Sequence, residues 1–145
     1  VTNFDFEALL GLQLKDDKVI ELLELRDMQV VYDFDRTHEN LEDVYWAAAP
    51  KSGFQFRFDQ EQKLDVVFLY IAASEGFEPV ARDEVGIPLF ETFDEARQAL
   101  TQAGISLKES PDEKWWIKGD FGANTRHYEF RKDALFRVTL SSKAA

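Results

Sequence analysis

The sequence predicts an α+β domain organised on an antiparallel sheet, and three stretches carry that prediction. The run Leu64-Asp65-Val66-Val67-Phe68-Leu69-Tyr70-Ile71 has seven apolar residues in eight, most of them β-branched or aromatic. Such a run favours a central strand, buried on both faces or covered by helix on one. Ahead of it, Phe54-Gln55-Phe56-Arg57-Phe58 alternates strictly, putting three phenyl rings on one face and Gln55 and Arg57 on the other. The polar link Asp59-Gln60-Glu61-Gln62-Lys63 has hairpin length, so residues 54–71 read as a β-hairpin. The third stretch is Thr92-Phe93-Asp94-Glu95, a capping box that satisfies the first orphan N–H groups of a helix.

In chain order, Phe4-Asp5-Phe6-Glu7-Ala8-Leu9-Leu10 reads as one or two helical turns before Gly11. Asp16 or Asp17 then caps a helix over 17–25, in which Val19, Ile20, Leu22 and Leu23 recur at helical spacing. Residues 29–34 look extended, and 36–42 look like a polar loop. Asp43-Val44-Tyr45-Trp46-Ala47-Ala48-Ala49 reads as a strand, followed by the turn cluster Pro50-Lys51-Ser52-Gly53 and the hairpin. Together these make a three-stranded meander. Residues 73–84, with Gly76 and Pro79, form a link. The second helix places Phe93, Ala96, Leu100 and Ala103 on one face and ends at Gly104. Three strands follow, around Lys114-Trp115-Trp116-Ile117-Lys118, 126–131 and 134–140, with a loop over 119–125 and a tight turn at Lys132-Asp133.

The two halves match in order. Gly11-Leu12-Gln13-Leu14 corresponds to Gly86-Ile87-Pro88-Leu89, and Tyr45-Trp46 to Trp115-Trp116. Phe54-Gln55-Phe56-Arg57-Phe58-Asp59 corresponds to Tyr128-Glu129-Phe130-Arg131-Lys132-Asp133, and residues 64–69 to 135–140. The expectation is a single domain over 1–145, with repeat one at 9–72, the link at 73–84 and repeat two at 85–141. Two helix-plus-three-stranded-meander repeats would then form one six-stranded antiparallel sheet with helices packed on one face.

This tandem arrangement resembles the β-lactamase inhibitor protein fold, whose units also occur in outer-membrane assembly lipoproteins. Leu9-Leu10-Gly11 with Lys18-Val19-Ile20-Glu21-Leu22-Leu23, and Gly86-Ile87-Pro88-Leu89 with Phe93-Asp94-Glu95-Ala96-Arg97, further resemble small bacterial proteins regarded as immunity proteins of polymorphic or contact-dependent toxins. The resemblance implies a non-enzymatic inhibitor of a cognate toxin. It carries over no functional residues.

Composition bounds the reading. Thirteen phenylalanines and three tryptophans can fill a core in 145 residues, which argues against disorder. There is no cysteine, hence no disulfide framework, and that fits a reducing cytoplasm. No apolar run approaches the ~20 residues of a membrane-spanning helix. The formal net charge of −11 repels nucleic-acid phosphates and anionic membranes and steers basic proteins toward the chain. Neither nucleic acid nor membrane is expected as a partner.

The acids concentrate in two segments. Residues 33–43 carry Asp33, Asp35, Glu39, Glu42 and Asp43 against Arg36, beside Tyr32 and Phe34. Residues 75–84 carry Glu75, Glu78, Asp83 and Glu84 against Arg82, around Phe77. Acidic loops flanking aromatics are what a protein covering a basic active site would present, although a solvated loop explains either segment taken alone. Of Trp115 and Trp116, alternation sends one ring inward and the other outward.

The sharpest catalytic pattern is Val30-Val31-Tyr32-Asp33-Phe34-Asp35-Arg36-Thr37, which resembles the first motif of haloacid dehalogenase-like phosphatases. There Asp33 would be the nucleophile and Asp35 the acid/base, with Mg²⁺ shielding their charge. Arg36 at a tight turn, and a meander where that family needs a parallel sheet with crossover helices, count against it. His38 and His127 are the only histidines and lack the further ligands a zinc site needs. No catalytic residue, metal or cofactor is assigned. The expected function is that of a cytoplasmic immunity protein binding a basic toxin domain such as a nuclease. The alternatives are the phosphatase and a periplasmic assembly or inhibitor domain, which a leader with a lipidation cysteine upstream of Val1 would favour.

Overall fold

The computed structural model of the chain describes residues 5–33 and 43–143. Among these, eight strands form one sheet: β1 (Gln29–Asp33), β2 (Val44–Ala49), β3 (Phe54–Phe58), β4 (Leu64–Tyr70), β5 (Ser106–Glu109), β6 (Trp116–Asp120), β7 (Asn124–Arg131) and β8 (Ala134–Ser142). The helices are α1 (Phe6–Leu9), α2 (Asp17–Leu25) and α3 (Phe93–Gln102), with a single 3₁₀ turn at Arg82–Glu84. Across the sheet the order is β1-β2-β3-β4-β8-β7-β6-β5, and every neighbouring pair is antiparallel.

The sheet is therefore wider than the six strands expected, by one strand at each edge. β1 read as extended but was left out of the meander, and β5 was not foreseen. Among the described residues both pair on one side only, and neither shows the alternating burial that signals pairing: β1 is exposed throughout, and β5 has a single half-buried residue, Leu107. The loop expected over 119–125 is also shorter. Its ends join β6 and β7, leaving a tight connection with Gly122 at φ 91°. Elsewhere local signals sufficed. Asp16 caps α2 by accepting from the Lys18 N–H, and Thr92 caps α3 by accepting from the Glu95 N–H. Lys132 and Asp133 both take left-handed φ, as a two-residue hairpin turn between β7 and β8 requires.

Residues directly opposite in antiparallel strands project from the same face. One face gathers Ala47, Phe56, Val67, Leu140 and, through the next pairs, Ala49, Phe54, Leu69, Val138 and Tyr128, all buried. The helices pack here. Phe6 of α1 meets Phe54 and Phe56 at ring-centroid distances of 5.1 and 6.2 Å, and Phe93 of α3 meets Phe130 edge-on at 5.8 Å. Val19 and Leu22 of α2 join the same core. The segment between α1 and α2 is tied to the start of β4 by the Gly11 N–H on the Leu64 carbonyl and the Leu64 N–H on the Leu12 carbonyl. An ion pair joins α1 to the sheet in this layer: Glu7 accepts from Nη2 and Nε of Arg126 on β7, at 2.7 and 2.8 Å, and from Asn124 at 2.6 Å.

Candidate functional site

The opposite face of the sheet, which we call the open face, receives no helix among these contacts. Strand register resolves it into rows. At the end where β4 finishes, Tyr70, Arg137, Glu129 and Trp116 are successive cross-strand partners on β4, β8, β7 and β6. The next row runs Ala48, Gln55, Phe68, Thr139, His127, Lys118 and Lys108. The third runs Val31, Trp46, Arg57, Val66, Ser141, Thr125 and Asp120.

The first row is the best organised. Residues 71–84 leave β4 and fold back over it, so that Phe77 stacks on Tyr70 with centroids 4.2 Å apart and planes 8° from parallel. Tyr70 in turn accepts from the Gln55 amide at 2.7 Å, and burial raises its phenol above the usual range. Beside it, Arg137 donates to both carboxylate oxygens of Glu129 at 2.6 and 3.2 Å and approaches Glu75 at 3.6 Å. The fork on Glu129 fixes the orientation of the guanidinium through two bonds, which lysine would not reproduce. Trp116 ends the row, edge-on to His127 at 5.3 Å, and burial keeps that imidazole below its ordinary range, hence neutral at pH 7. Next to Trp116, Trp115 is 61 % exposed at a cleft of about 500 Å³ lined also by Glu129, Phe130, Arg131 and Lys132.

Gly53 explains why the folded-back segment sits where it does. Its φ is +76°, and a Cβ there would collide with the Glu78 carbonyl oxygen and the Val80 nitrogen. The close approach lets the Val80 N–H reach the Tyr70 carbonyl and the Glu78 N–H reach Pro50, pinning the segment to the sheet.

The acidic residues singled out in the sequence divide between several places. Glu75 and Phe77 join the first row, and Glu78 lies exposed beside it. Asp83 is exposed on the 3₁₀ turn. Glu84 is engaged in structure: it accepts from Arg26 at 2.6 Å, and Arg26 also donates to Ser52, so the turn, α2 and the β2–β3 connection are clamped together. Asp33 is exposed at the end of β1, and Asp43 precedes β2, where it accepts from Tyr32 at 2.7 Å and pushes that phenol up to about 12. Asp35, Glu39 and Glu42 lie outside the described residues, as do Phe34, Arg36 and His38. The two acidic segments flank opposite ends of the strands. Asp43 stands at the start of β2 and Glu78 is bonded to Pro50 past its end, about 23 Å away at a strand's usual rise.

Tyr70, Arg137, Glu129 and Trp116 were not foreseen as a site. Glu129 and Arg137 do occupy outward phases of their strands, yet only the register shows that they meet. Asp33, the nucleophile of the phosphatase alternative, stands on an edge strand of a wholly antiparallel sheet, whereas that chemistry was tied to a parallel one. Among the described residues no three His, Cys, Asp or Glu side chains gather as a metal site. No helix there is long and apolar enough to cross a membrane. The chain matches no protein-family model, no curated protein and no solved structure.

Proposed function

We propose that this chain is a non-enzymatic binding protein that neutralises a basic toxin domain by covering it with the open face of its sheet. The carrying observation is the first row: a stacked aromatic pair, a forked arginine–glutamate pair and Trp116, with the exposed Trp115 at the cleft beside it. Aromatic rings and arginine held rigid on a strand framework lose little entropy on binding and make the strongest anchors at protein interfaces. The net charge of −11, with acids at both ends of the strands, would speed encounter with a basic partner.

In this reading Glu75, Phe77 and Glu78 belong to the contact surface. Asp33, Asp35, Glu39, Glu42, Asp43 and Asp83 act mainly through the long-range field, and Glu84 acts through the clamp on Arg26. The same reading takes the chain as two copies of a helix-plus-meander unit. Tyr45-Trp46 on β2 and Trp115-Trp116 at β6, and then β3 with β7 and β4 with β8, hold matching places on either side of the β4–β8 seam. The working compartment is the cytoplasm, where an immunity protein meets its toxin.

The test starts with tagged protein recovering a partner from lysate of its own organism, identified by mass spectrometry. Expression of that partner alone should arrest growth, and co-expression of this chain should restore it. The association rate should fall at least tenfold between about 0.05 and 0.5 M NaCl. A partner that is harmless when expressed alone, or an association rate indifferent to salt, defeats the proposal.

A further inference from the structure

The two edges of the sheet are protected unequally. At β5, Lys108 lies opposite Lys118, and the Glu109 carboxylate holds Arg97 of α3 at 2.7 and 3.1 Å, so charges and a helix guard the strand. Edges defended in this way resist pairing with another chain. Among the described residues β1 is less defended, with Asp33 at its end as its one charged side chain. Its sequence is Gln29-Val30-Val31-Tyr32-Asp33, with no lysine, proline or glycine, and Val30, Val31 and Tyr32 are 41, 60 and 46 % exposed. Among the described residues no strand lies beyond it.

We propose that β1 is a self-association edge, at which two copies of the chain pair antiparallel about a two-fold axis at Val31 and join their sheets. The argument is the register. An axis at Val31 sets Gln29 opposite Asp33 of the second copy, Val30 opposite Tyr32 and Val31 opposite itself. An amide then meets a carboxylate, apolar meets apolar, and no charge faces its like. Moving the axis to Val30 leaves Tyr32 and Asp33 opposite residues that precede the strand. Moving it to Tyr32 sets Val31 opposite Asp33. Only the Val31 axis satisfies every pair. Because residues directly opposite share a face, the two open faces lie on the same side of the joined sheet.

A seam of five residues is far smaller than the ~1,200 Å² of stable complexes, and each copy carries a charge of −11. The pairing is therefore weak, and it strengthens as salt screens the repulsion. That sign is opposite to the one expected for a basic partner, so the two interactions are distinguished by salt alone.

Sedimentation equilibrium of the full chain between about 10 µM and 1 mM should show the mass rising toward twice 16.8 kDa, with an association constant several-fold larger in about 0.5 M NaCl than in 0.05 M. Val31→Lys should lower that constant at least tenfold. Since the chain has no cysteine, Val31→Cys supplies a single thiol. With oxidised glutathione as oxidant it should form a disulfide-linked dimer at least tenfold faster than Lys108→Cys on the other edge, because directly opposed Cβ atoms lie near disulfide reach. A mass of one chain at every concentration and salt, or equal cross-linking at the two edges, overturns the proposal.

Discussion

The helix-side and open faces belong to the same strands and differ in nearly everything else. On the helix side, Phe54, Phe56, Phe58 and Leu64 are completely buried, and rings from α1 and α3 fill the spaces between strands. On the open face, Gln55, Arg57, Val66 and Phe68 alternate with those residues and are only partly buried. Its ion pairs lie within the sheet surface, such as Arg57 on Asp65 at 2.6 Å. Under the proposed function, the contrast gives stability to one face and recognition to the other. Burial of a phenyl ring is worth a few kcal/mol and demands one fit. A half-exposed tryptophan contributes less to folding and leaves surface for a second molecule.

That division can be broken by substitution. The largest effect is expected at Phe56→Ala, which should cost about 3–5 kcal/mol in urea unfolding because both the transfer and cavity penalties apply. Gly53→Ala should cost about 3 kcal/mol, from a left-handed φ and a collision with the 78–80 backbone. It should also loosen Phe77 from Tyr70, read as a change in near-ultraviolet circular dichroism. Glu7→Gln should cost about 2 kcal/mol, since Arg126 and Glu7 are 15 and 18 % exposed and hydrogen-bonded.

The Glu7 pair also gives a sign for acid. Burial alone would raise the Glu7 carboxyl, but the hydrogen bonds from Arg126 and Asn124 outweigh it, so it titrates below 4.5. Its contribution is therefore complete above that value and is lost as pH falls through the lower folded-state value. Below pH 4.5 the wild type should lose stability more steeply than Glu7→Gln, measured by urea midpoints across pH. Equal slopes would remove the pair from the account. The smallest stability change is expected at the exposed ring beside the first row: Trp115→Ala should move the unfolding free energy by less than about 0.5 kcal/mol while weakening partner binding at least tenfold. A large unfolding effect with unchanged binding would invert the comparison.

Legibility followed the same line. The phenylalanine alternation of β3, the apolar run of β4, the aspartate N-cap of α2 and the capping box of α3 could be read directly, because each is a local pattern backed by local energetics. β1 and β5 could not be placed in the sheet, because an edge strand pairs through its backbone and its side chains need not alternate in burial. The candidate site was less legible still. Phe77 and Glu75 stood out by composition, but Tyr70 looked like one more apolar residue of β4, and Arg137 and Glu129 were isolated charges eight residues apart.

The sequence by itself determined that the chain is an α+β protein with antiparallel hairpins, that Phe54, Phe56 and Phe58 of β3 and Phe93, Ala96 and Leu100 of α3 are buried, though not that Ala103 is exposed, and an acidic character that repels polyanions. Those properties depend on periodicity, capping and charge, which act over a few residues or need no geometry at all. Tertiary structure alone decided that β4 and β8 adjoin, that the sheet runs to eight strands, and that residues 74–77 fold back onto the open face. These depend on register between distant segments and on a glycine whose missing side chain admits a neighbouring backbone, and neither leaves a periodic trace in the sequence.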